Sequence, residues 1–85
     1  MDEVLASKVI AQIAVVKRIP VESITIDSTF EELAMDSLDA MNLLFALEEQ
    51  FEISIPDEAA NTIKDVRSTI AGVDQILAEK SGSPG

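Results

Sequence analysis

The chemistry open to this chain is narrow, because it contains no Cys, no His and no Trp. Ser–His and Cys–His nucleophiles are excluded, and so is a disulfide framework. A metal centre is not expected, since zinc wants Cys or His ligands. No loop has the alternating Asp/Asn ligands and central Gly of an EF-hand. Carboxylates, Lys, Ser and Thr remain. Among them Asp36 and Ser37, followed by Leu38, stand at the head of an apolar-periodic stretch. Alone, this tripeptide is an ordinary helix start, because Asp and Ser both cap helices well. Ser37 has no His to activate it as a nucleophile. No catalytic pair is evident elsewhere, and the chain is not expected to be an enzyme.

The elements that would position Ser37 are legible from periodicity. A first helix is predicted from about Asp2 to Lys17, with Leu5, Val9, Ile13 and Val16 on its inner face. Lys17 and Arg18 suit its C-terminal dipole, and Pro20 stops it. Residues 19–35 form a long connection with apolar anchors at Ile19, Val21, Ile24, Ile26, Phe30 and Leu33. Ser28 and Glu31 have capping-box spacing, which predicts one helical turn near 29–34. A strand at 23–26 has no evident partner. The second helix should begin at Asp36 or Ser37 and end near Phe51. A short third helix should follow Pro56, over about 57–62. A fourth should open after Asp65 and bury Val66, Ile70, Val73 and Leu77. The expected fold is all-α, a small four-helix bundle with a long first loop. Residues 1–80 form one domain and 81–85 a flexible tail.

The second helix has two apolar faces. With Ser37 at zero, Ala40, Leu43, Leu44, Leu47 and Phe51 fall between roughly 240° and 340°, which marks the core stripe. Leu38, Met41 and Phe45 fall between roughly 40° and 100°, nearly opposite, with Glu48 and Glu49 flanking them. An ordinary amphipathic helix has a polar back. This back reads as a docking surface, apolar at the centre and acidic at the rim; alternatively, it packs on the third helix or the long loop.

Charge sharpens the reading. Of 85 residues, 16 are acidic and 6 basic, for a net charge of −10. No base lies between Ile19 and Ile63, a stretch holding 11 of the 16 acids. Nucleic acid and anionic membrane surfaces are disfavoured partners, and a basic protein surface is favoured. The longest apolar run, Leu43 to Leu47, is too short to span a bilayer. The acidic start does not look like a signal peptide, so a soluble cytoplasmic monomer is expected.

These features together resemble the acyl carrier protein family. The residues that carry the likeness are Leu33-Ala34-Met35-Asp36-Ser37-Leu38-Asp39, then Ala46-Leu47-Glu48-Glu49-Gln50-Phe51-Glu52, then Ile55-Pro56-Asp57-Glu58-Ala59-Ala60, in the family's order. The resemblance implies that Ser37, between Asp36 and Leu38, is the attachment site for 4′-phosphopantetheine. A phosphopantetheinyl transferase would supply that arm from coenzyme A. The arm would bring the thiol that this Cys-free chain lacks. It further implies that Asp36, Leu38, Asp39, Met41, Phe45, Glu48 and Glu49 are read by basic surfaces of acyl-transfer, synthase and reductase enzymes. Leu47, Ala60 and Ile63 match positions that shelter the acyl chain in fatty-acid carriers. Ala34 stands where the family usually has Gly, so the loop must turn without one. Asn42 and Phe45 also depart from the fatty-acid type and lean towards a specialised carrier. The rivals are a peptidyl-type carrier of amino acids or other carboxylates, and an acidic adaptor without a prosthetic group.

Overall fold

The computed structural model describes residues 3–82. The helix start expected at Asp2, and residues 83–85 of the expected tail, lie outside that range. Four α-helices are present: α1 Glu3–Lys17, α2 Ser37–Phe51, α3 Asp57–Ala60 and α4 Val66–Gly82. Helix α4 therefore continues two residues into the stretch read as tail. Among the described residues there is no strand, residues 23–26 included, and Val21–Ser23 form a 3-10 turn.

Helix α1 is the centre of the packing and touches both α2 and α4. Its Leu5, Val9 and Ile13 are buried as the spacing predicts, while Val16 is only half-buried. Leu43 and Leu47 of α2 and Val66, Ile70 and Val73 of α4 meet them. The core is aliphatic apart from Phe30, with Phe51 packed at its edge. Arg18 takes a left-handed φ of 58°. The Ile19 amide then donates to the Ala14 carbonyl at 3.1 Å and closes the helix. The long connection is pinned by buried Ile24 and Phe30; Val21, expected as an anchor, is 46% exposed.

The capping box predicted at Ser28 and Glu31 sits one residue later. The Thr29 amide donates to Glu32 Oε1 at 2.9 Å, and the Glu32 amide to Thr29 Oγ1 at 3.0 Å. Ser28 is occupied otherwise: its Oγ accepts from the Thr25 amide at 3.0 Å and its own amide donates to the Thr25 carbonyl. Its carbonyl accepts from the Val66 amide, and the Phe30 amide donates to the Lys64 carbonyl. This single antiparallel bridge, Thr29 to Asp65, fastens the loop to the start of α4. Helix α3 is shorter than predicted and ends at Ala60, where Thr62 Oγ1 donates back to the Ala59 carbonyl at 2.8 Å. A hydroxyl bonded locally competes with helix continuation.

Gly72 lies inside α4, and a Cβ there would meet Ile63 Cδ1 at 3.7 Å, ordinary van der Waals contact. Nothing in the packing requires a glycine. Gly72→Ala is expected to stabilise the fold by about 0.5–1 kcal/mol, read as a rise of several degrees in Tm. A lower Tm would show that the packing there is tighter than these distances.

Candidate functional site

Either Asp36 or Ser37 could cap α2 on sequence grounds, and the structure assigns the task to Asp36. Asp36 Oδ1 accepts from the Asp39 amide at 2.8 Å, and Asp39 Oδ2 accepts from the Asp36 amide at 3.4 Å. This is a complete capping box built from two aspartates. Ser37 is thereby released from capping. It is exposed at the first position of α2, and among the described residues nothing engages its hydroxyl. First-turn amides of a helix lack intrahelical acceptors, so the N-terminus beside Ser37 favours an anion.

The loop before Ser37 is tightly wound. The Met35 amide donates to the Phe30 carbonyl at 2.9 Å, and the Ala34 amide to Glu31 at 3.0 Å. Ala34 takes φ 57°, a left-handed conformation that costs an L-residue about 1–2 kcal/mol. This is the position where the resembled family has Gly. Ala34→Gly is expected to stabilise the fold by roughly 0.5–1 kcal/mol, the strain relieved less the chain entropy that glycine adds. Denaturant titration checks the sign, and a loss of stability would refute the strain.

Lys17, read from sequence only as a dipole partner, is the residue that sequence reasoning missed. Its Nζ donates to the Ala34 carbonyl at 3.0 Å and to Asp39 Oδ2 at 3.1 Å. The ammonium, with the capping bonds, holds the Asp39 carboxyl below its ordinary value of 3.8. A lowered folded-state pKa gives stability that is complete above the ordinary value and lost as pH falls through the lowered one. The stability advantage of the parent over Asp39→Asn should therefore be full near neutral pH and shrink below about pH 4. A pH-independent difference between the two would contradict the ion pair.

The recognition residues divide into two groups. Leu38, Met41 and Phe45 are 65%, 51% and 59% exposed, so this face is largely open, with Met41 and Phe45 edging a groove beside Ala60 of α3. Glu49 is exposed beside it. Asp39 and Glu48, expected to be read by a basic partner, also have partners within the chain. Glu48 Oε2 accepts from the Ile55 amide at 2.7 Å and closes the loop after α2.

The three residues expected to shelter an acyl chain have different surroundings. Leu47 is fully buried among core residues. Ile63 lines an open groove of about 550 Å³ with Phe30, Met35, Asp36, Ser37, Ala40 and Lys64. Ala60 lines a separate groove of about 180 Å³ with Met41, Leu44 and Phe45. The cavity beside Ser37 is therefore built by the first loop, the start of α2 and the turn before α4.

A helical bundle with an exposed serine beside a cap, a groove and an acidic, apolar helix face suits a carrier domain. The model of the phosphopantetheine attachment site family matches residues 7–73. The chain is 44% identical over 68 residues to an acyl carrier protein of Treponema denticola, covering 79% of this chain and 86% of that one. It is 36% identical over 70 residues to a mitochondrial acyl carrier protein of Dictyostelium discoideum, covering 82% of this chain and 58% of that protein's length. The crystal structure of an acyl carrier protein from Thermotoga maritima superposes with a TM-score of 0.76 at 27% identity, over 94% of this chain and 99% of that one. The chain belongs to the acyl carrier protein family. Its prosthetic group is a covalently attached phosphopantetheine. Members of this family carry acyl groups and work with biosynthetic enzymes.

Among the described residues no helix is long and apolar enough to cross a membrane, and no cluster of acidic residues could hold a metal ion.

Proposed function

We propose that Ser37 is the attachment residue. The single observation that carries this reading is the division of labour at the head of α2, where Asp36 caps and the Ser37 hydroxyl stays free and exposed. The residues present fit the group. The α2 N-terminus would favour its phosphodiester, and the groove beside Ser37 offers Phe30, Met35 and Ile63 to its apolar parts. In the attachment step the Ser37 oxygen bonds to the pantetheine-bearing phosphorus of coenzyme A. The pyrophosphate bond breaks, the nucleotide leaves, and the hydroxyl proton passes to a base of the transferase. Once attached, the arm supplies the thiol on which acyl groups are held as thioesters.

In this reading the chain moves cargo and catalyses nothing itself. Its partners are the phosphopantetheinyl transferase and acyl-transfer, synthase and reductase enzymes that present basic surfaces to α2. It works as a monomer in the cytoplasm. The carrier domain occupies residues 1–80.

Peptide mapping after incubation with coenzyme A and a broad-specificity transferase tests the site. Trypsin finds no Lys or Arg between Ile19 and Ile63, so one long peptide contains Ser37. The added mass should fall on that peptide, and fragmentation should assign it to Ser37. Assignment to Ser23, Ser28, Ser54 or a threonine would overturn the reading.

A further inference from the structure

We infer that Lys17 is a positioning residue for the attachment reaction, its ammonium tying the backbone turn before Ser37 to the capping carboxylate after it. This rests on the reading of Ser37 as the attachment residue. Three segments meet at Lys17. It ends α1, and its Nζ reaches the Ala34 carbonyl at 3.0 Å and Asp39 Oδ2 at 3.1 Å. Ala34 lies three residues before Ser37 and Asp39 two residues after it. The first belongs to a strained left-handed turn, and the second completes the α2 cap.

The ion pair is half-buried, with side-chain exposures of 21% and 24%. It is therefore less screened than a surface pair. By contrast, the Arg67–Asp27 pair, at 55% and 77%, is open to solvent. Among the described residues the Ser37 side chain makes no bond that would hold it. Its placement depends on the turn before it and the cap after it, and Lys17 couples those two. An orientation error of an ångström at a reacting group costs far more rate than it costs stability.

Charge and positioning predict opposite results, which makes the inference testable. Removing a base makes the chain more acidic, and steering alone would speed encounter with a basic transferase. Loss of positioning slows the bound reaction instead. The experiment compares the parent, Lys17→Met, Lys17→Arg and Lys8→Met. Lys8→Met removes the same charge from α1 at Lys8, over the Phe51 ring at 5.9 Å. Single-turnover attachment is measured at saturating transferase with coenzyme A, and amide hydrogen exchange of residues 34–40 is measured on each unmodified chain.

Lys17→Met is expected to lose about tenfold in the saturated rate, with faster exchange confined to residues 34–40. Lys17→Arg should recover most of the rate, and Lys8→Met should match the parent. A Lys17→Met rate equal to or above the parent would overturn the inference, whatever its exchange pattern. So would an equal loss in Lys8→Met. If the parent itself accepts no group while its exchange pattern shows the brace, the Ser37 reading fails first and the inference falls with it.

Discussion

Ser37→Ala is expected to fold as the parent does and to carry nothing. The two halves of this result follow from the same geometry. The hydroxyl is exposed and has no partner among the described residues, so its removal leaves no buried group unsatisfied. The cap depends on Asp36 and Asp39, and Ala is a better helix former than Ser. Stability should therefore stay within about 0.5 kcal/mol of the parent. Function should be lost completely if Ser37 is the residue that receives the arm, as proposed. Thiol titration reads this directly, since the chain has no Cys. The parent should gain one thiol per chain after treatment with coenzyme A and transferase, and Ser37→Ala none. A thiol gained by the variant would mean that another hydroxyl takes the group.

Phe45→Ala is expected to weaken partner binding by roughly tenfold or more, as truncation of an aromatic anchor does, at little cost in stability. Phe45 is 59% exposed and sits between Met41 and Glu49 on the outward face of α2. A side chain so open contributes little to the core, so its loss should register in binding and not in Tm. Glu49→Lys should act on the same face through charge, lowering association at low salt and less so as salt screens it. Glu48 is a poor choice for that experiment. Its carboxylate holds the Ile55 amide, so reversal there would disturb the loop after α2 as well. Fluorescence anisotropy of labelled chain against the phosphopantetheinyl transferase measures both variants. Unchanged affinity in Phe45→Ala would remove the apolar face from the account.

The helical architecture was legible because the apolar spacing is regular where helices form. Leu43 and Leu47 and the Val66, Ile70, Val73 stripe lie where a 3.6-residue period puts them. The outward face of α2 was legible for the same reason, as an apolar cluster that the core could not use. Elements set by side-chain hydrogen bonds were less so. Ser28–Glu31 and Thr29–Glu32 have the same spacing, and the engagement of the Ser28 hydroxyl and amide by Thr25 decides between them. Asp39 and Glu48 looked like free acids because sequence does not reveal which carboxylate meets an amide or an ammonium from a distant segment. Lys17 was hidden for a related reason, since its partners lie 17 and 22 residues away. The groove beside Ser37 comes from three separated segments, and no local pattern marks it. Leu47, Ala60 and Ile63 followed from a family resemblance, and the distribution of cavities here puts them in three different surroundings.

The central claim is that this carrier is loaded at Ser37. Intact mass is the most direct test, on the parent and Ser37→Ala side by side, after incubation with coenzyme A and a broad-specificity transferase. The account predicts a gain of one phosphopantetheinyl unit in the parent and no gain in the variant. No gain in the parent, with the same transferase modifying a control carrier, would contradict it. A gain that persisted in Ser37→Ala would contradict it as well.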